Sequence, residues 1–127
     1  MELTRALPAL SLAVVGAAFA NADGSDREEE IARCVPGELA ELRPEPENKR
    51  DKLAIAVFSA RGIQIGYLKA ERAPRIGQIM REGREVRAVF QRPAEFGAWI
   101  RVAFDGEEPV LPAVAADKAE QAVDWGA

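Results

Sequence analysis

The sequence contains no histidine, which removes the commonest general base and the commonest metal ligand. It has one cysteine, Cys34, so no internal disulfide and no cysteine-bound metal cluster can form. With no histidine to activate it, Cys34 beside Ile31 and Val35 reads as a small buried hydrophobe, not a nucleophile. No glycine-rich phosphate loop is present, and no paired carboxylate motif lies in an apolar setting. The acidic run Glu28-Glu29-Glu30 reads as a solvated helix start. These absences predict a protein that is not an enzyme and takes no cofactor and no metal. The apolar run from Leu7 to Ala20 is too short and too interrupted to cross a membrane. There are no internal repeats and no sustained heptads.

What is present fits one domain. The chain has 127 residues and is 48% hydrophobic, enough for a single compact core. Its net charge of −4 argues against a dedicated nucleic-acid coat. The charge is unevenly spread, however. Residues Asp23 to Glu47 are acidic, whereas Lys69 to Arg101 are basic. A local basic face attracts phosphate even on an acidic protein, although a solvated helix face has the same composition.

Periodicity and breakers predict six short strands and one main helix. Leu10 to Phe19 reads as the first strand, and Asp26 to Cys34 as a short helix with Asp26 as its N-cap. Glu38 to Arg43 forms a second strand, ended by Pro44 and Pro46. Leu53 to Ser59 and Ile63 to Leu68 pair as a hairpin across Ala60-Arg61-Gly62. Strand alternation puts Ile63, Ile65 and Tyr67 on one face of the latter. Lys69 to Glu82 is the main helix, with Ala73, Ile76, Ile79 and Met80 on one stripe and Gly83 closing it. Glu85 to Gln91 and Trp99 to Phe104 are the last strands. Together these predict a mainly β fold: a small, six-stranded, partly closed OB-like or SH3-like barrel with the helix over one opening. Residues 1–9 form an N-terminal segment, 10–105 the barrel, and 106–127 a mobile or loosely docked tail.

The most specific signal lies in the middle of the chain. Glu45-Pro46-Glu47-Asn48-Lys49-Arg50-Asp51 is a polar loop that leads into the strand Ala54-Ile55-Ala56-Val57-Phe58. Ile65-Gly66-Tyr67-Leu68 follows and runs into the helix. This order of acidic-Pro-x-Asn-x-x-Asp, Ala-Ile-x-Val and Ile-Gly-Tyr-Leu resembles the HIRAN domain, a small β-rich module. That family occurs fused to Swi/Snf-type DNA translocases and as short stand-alone bacterial proteins. Its opening strand ends in Gly-x-x-aromatic, matched by Gly16-Ala17-Ala18-Phe19. The resemblance covers roughly Leu10 to Phe104.

The resemblance implies a modified OB-like barrel that binds single-stranded DNA and captures a 3′-hydroxyl end, with a possible role in DNA repair. Phe19 would stack on a base, or else plug the barrel end. Asn48 and Asp51 match the family positions. Asp51 would accept the hydroxyl proton, while both also suit a turn role in their loop. Arg50 stands where many members carry an aromatic or His, and Ala18 where many carry Arg. A guanidinium at position 50 can stack on a base and pair with phosphate. Tyr67 reads as core with an exposed hydroxyl. Lys69 is a phosphate partner at the helix start, and Arg72 and Arg75 would extend the track.

The expected partner is therefore single-stranded DNA or a DNA 3′ end, in a monomer or weak dimer that uses no membrane. The alternative is a protein partner on the same barrel face. Arg5 before an apolar stretch, with Ala18-Phe19-Ala20 after it, also fits an exported protein. Cleavage after Ala20 would delete the first strand, so a cytoplasmic location is expected.

Overall fold

The computed structural model describes residues 5–113. Six strands and two helices follow in chain order: β1 (Leu10–Val15), α1 (Arg27–Arg33), β2 (Leu39–Pro44), β3 (Ile55–Phe58), β4 (Gln64–Leu68), α2 (Ala73–Arg81), β5 (Val86–Ala94) and β6 (Gly97–Phe104). The strands close into a barrel in the order β1-β4-β3-β2-β5-β6, with β6 returning to β1. This is the mainly β, six-stranded OB-like barrel that the sequence predicts, and it is closed all round. Every neighbouring pair is antiparallel, and the seam between β2 and β5 is two residue pairs wide, Leu39 with Val89 and Ala40 with Ala88.

Inward-facing residues of all six strands make one core. Leu12, Val14, Ile55, Val57, Phe90, Ile100 and Val102 are each nearly inaccessible. Helix α2 adds Ala73, Ile76 and Ile79 to it, so the predicted apolar stripe is the buried one. The helix begins at Ala73, four residues after Lys69, with Pro74 in its first turn, where backbone N–H groups have no helical partner. Its end is closed by Gly83 N–H donating to Met80 O and Arg84 N–H to Ile79 O. Helix α1 starts as expected: the Asp26 carboxylate accepts from Glu29 N–H at 3.0 Å.

Several expected boundaries and faces move. Strand β1 stops at Val15 and the chain turns at Gly16, so Phe19 lies beyond the ladder. The last two strands run further than predicted, to a hairpin whose tip is Glu95-Phe96. Pro93 is tolerated there because β5 pairs with β2 only as far as Val89, which leaves that side an edge. Strand β4 carries a bulge: Val57 faces Gly66 and Phe58 faces Gln64, which leaves Ile65 as an extra residue. Ile65 and Leu68, three apart, therefore both enter the core, and Tyr67 points away from it. The expectation that Tyr67 shares a face with Ile65 fails for this reason. Glu30 also departs from its predicted role as a solvated residue. It is 2% exposed and accepts from Arg61 Nε at 2.7 Å.

Residues beyond Phe104 lie along the outside of β5 and β6 as far as they are described. Val110 O accepts from the buried Arg101 Nε at 3.1 Å, and Glu108 pairs with Arg87. Part of the predicted tail lies outside the described residues. No helix among the described residues is long and apolar enough to cross a membrane.

Candidate functional site

One mouth of the barrel holds a cleft of about 590 Å³, within the range of small-ligand sites. Its floor is Val15 and Gly16 at the end of β1 and Tyr67 and Leu68 at the end of β4. The loop between β2 and β3 forms one wall with Asn48, Lys49, Arg50 and Asp51. Phe19 and Arg27 form the other.

The loop is stiff for reasons written in its sequence. Glu45 N–H donates to Ala54 O at 2.9 Å, and Ala54 N–H donates to Asp51 O at 3.1 Å. Within that frame Asn48 Oδ1 accepts from the N–H groups of both Arg50 and Asp51, at 2.9 and 3.0 Å. Its Nδ2 donates to Glu45 Oε1 at 3.0 Å. The same carboxylate oxygen accepts the Tyr67 hydroxyl at 2.9 Å, which ties the loop to β4. Asp51 Oδ1 accepts from Leu53 N–H at 2.9 Å. Its other oxygen makes no hydrogen bond to the described protein and remains available to a donor in the cleft.

The opposite wall is built around the turn after β1. Phe19 is 68% exposed, so it does not plug the barrel; its ring stands open beside the cleft. Arg27 is 7% exposed. Its Nη1 donates to Gly16 O at 2.9 Å and its Nε to Asn21 Oδ1 at 2.7 Å. Asn21 is held in turn by Ser25 Oγ at 3.0 Å and Gln64 O at 2.9 Å. Asp23 accepts from Ser25 N–H and Oγ, and those bonds hold its carboxyl below the usual range. The guanidinium carbon of Arg27 lies 5.5 Å from the Tyr67 ring centre.

Five of the eight sequence-indicated residues therefore meet at the cleft: Phe19, Asn48, Arg50, Asp51 and Tyr67. Lys69, Arg72 and Arg75 do not line it. Lys69 lies just past the wall, 3.5 Å from Glu71, and Arg72 occupies the N-cap position of α2 without a side-chain cap bond. Arg27, Lys49 and Glu45 were not singled out by sequence reasoning. Glu45 was inside the recognised motif but had no assigned role. Arg27 carried a legible signal: a cation in the first turn of a helix opposes the helix dipole, so another interaction must hold it there. Three cations against the single carboxylate of Asp51 line the cleft, which is thus positive on an acidic protein.

A closed barrel of this topology, with a largely apolar cleft whose charged lining is mainly basic, defines a small OB-like module. A family model of the HIRAN domain matches residues 10–105, and the chain belongs to that family. The crystal structure of the HIRAN domain of human HLTF is similar, with 26% identity and a TM-score of 0.59, covering 76% of this chain and 74% of that one. A protein from Lactobacillus plantarum shares the fold at 18% identity and a TM-score of 0.58, covering 77% of this chain and 94% of that one. No curated protein matches the sequence.

Proposed function

We propose that this chain is a DNA-binding module whose cleft takes single-stranded DNA at a 3′-hydroxyl end, with a role in DNA repair, where such ends are exposed. Family membership supports the DNA-binding class. The observation that carries the finer reading is the convergence on one cleft of Phe19, the Asn48–Asp51 loop and Tyr67, which are widely separated in sequence. Each has a role there. Phe19 offers an open ring for a base, worth about 1–3 kcal/mol when stacked. Asp51 offers a free carboxylate oxygen to the terminal hydroxyl. Arg50 and Lys49 form no ion pair among the described residues and face the strand's phosphates. Asn48 acts mainly through the loop, because its Oδ1 and one of its two amide N–H groups are used in shaping it.

The test is a salt titration of binding to a labelled oligonucleotide ending in either a 3′-hydroxyl or a 3′-phosphate. The hydroxyl end binds more tightly in the wild type, because a carboxylate accepts one end and repels the other. Asp51→Ala removes that preference. Phe19→Ala weakens binding at every salt concentration, whereas Lys49→Ala mainly flattens the salt dependence. If the wild type binds neither oligonucleotide at low salt, the DNA reading falls and a protein partner on this face takes its place.

A further inference from the structure

Arg27 is a buried cation with no anionic partner among the described residues. Its two hydrogen-bond partners, Gly16 O and Asn21 Oδ1, are neutral, and so is the Tyr67 ring beneath it. None of the ion pairs among the described residues includes it. The carboxylates around it in sequence do not pair with it: Asp26 accepts from Glu29 N–H as the N-cap of α1, Glu28 lines a different cleft with Pro93 and Phe96, Glu29 pairs with Arg33 at 2.8 Å and Glu30 with Arg61 at 2.7 Å. A charge withdrawn from water with no counterion is costly, and its place in the first turn of α1 adds dipole repulsion. The second terminal nitrogen, Nη2, makes no hydrogen bond to the described protein, and it is not among the fully enclosed unsatisfied atoms. Arg27 lines the cleft, so that nitrogen is the edge of the guanidinium left to a ligand.

We infer that Arg27 is the anion anchor of the cleft and that its counterion is one phosphodiester group of the bound strand. This deepens the single-stranded DNA reading and rests on it. Lys49 and Arg50 are exposed, and their attraction is largely screened by salt, whereas the buried guanidinium is pre-oriented by Asn21 and keeps its attraction. The anchor therefore selects one linkage of the strand, at a fixed distance from the base stacked on Phe19.

The experiment combines a protein variant with a DNA substitution. Arg27→Gln keeps an amide donor in the same region and removes the charge. A deoxythymidine oligonucleotide is made with a neutral methylphosphonate at each linkage in turn. For the wild type, substitution at one linkage weakens binding about tenfold while the other positions have smaller effects. For Arg27→Gln the salt slope is shallower by about 0.7, and the sensitive linkage loses its special effect. The methylphosphonate scan on the wild type needs no variant, so it tests the anchor even where Arg27→Gln folds poorly. A wild type that shows no linkage preference overturns the anchor. So does an Arg27→Gln variant that binds with wild-type affinity and slope, or one that is weakened equally for charged and neutral linkages. A wild type that binds no oligonucleotide overturns the DNA reading itself, which separates the two failures.

Discussion

Asn48 uses both ends of its amide inside the loop it belongs to. Removing that side chain leaves two backbone N–H groups without their partner and the Glu45 carboxylate with only the Tyr67 hydroxyl. Asn48→Ala is expected to cost about 1–2 kcal/mol by urea unfolding and to weaken oligonucleotide binding by loosening the loop. Cys34 is a second residue whose behaviour follows from its surroundings. Burial, then the charge on Glu30, push its thiol from an ordinary 9.0 up to about 11, against the opposing pull of Arg61. The raised value favours the neutral thiol, so at pH 8 the folded protein holds about a hundredfold less thiolate than the unfolded chain. Iodoacetamide is expected to label native Cys34 correspondingly slowly, with the rate rising steeply above pH 10. The motif around Asn48 and Asp51 made those residues visible in the sequence, because its spacing belongs to one local loop. Arg27 showed only that something had to offset the helix dipole, and Glu30 looked like one of a run of helix-start charges. Their partners, Asn21 and Gly16 for one and Arg61 for the other, are named only by the folded chain.

At the scale of elements, two glycines make opposite predictions. Gly66 sits where β4 passes the end of β1, and a Cβ there would lie 2.3 Å from Val15 O at a φ of +153°. Gly66→Ala is expected to destabilise the barrel by about 3 kcal/mol or more and to distort the cleft floor. Gly77 is buried on α2, yet a Cβ there meets Ile55 Cδ1 at an ordinary 3.8 Å and only the flexible tip of Arg81 at 3.2 Å. Gly77→Ala is expected to stabilise the protein by about 0.5–1 kcal/mol through helix propensity. A pair of thermal melts checks both. The stripe of α2, the hairpin of β3 with β4 and the cap of α1 were legible because each depends on nearby residues. The outward turn of Tyr67 was not, because a bulge opposite Val57 shifts the alternation and nothing in Ile65-Gly66-Tyr67 announces it. The reach of β5 through Pro93 was hidden for a related reason: whether proline is tolerated depends on which strand lies beside it.

Across the whole molecule, the barrel was legible as a count of strands and its closure was not, since neither strand order nor the return of β6 to β1 is encoded in local pattern. The outer face of that return bears a polar cluster. Ser11 Oγ donates to Gln91 Oε1 at 2.7 Å, and Arg101 Nη1 donates to Ser11 Oγ at 3.3 Å, under the segment that carries Val110. Truncation after Phe104 takes away the carbonyl partner of Arg101 and uncovers this cluster. A lower melting temperature is expected, with the cleft and its DNA affinity preserved, because the cleft is built wholly from residues 15–70. The same return has a kinetic meaning. Ser11 and Arg101, neighbours across the closing ladder, are 90 positions apart in sequence. Joining them requires most of the chain to be ordered first, so the folding barrier carries a large loop-closure entropy and the protein belongs with slow folders of high contact order. Until β6 arrives, one apolar edge of β1 stands unpaired in the nascent chain, and that interval is when this protein is most exposed to aggregation.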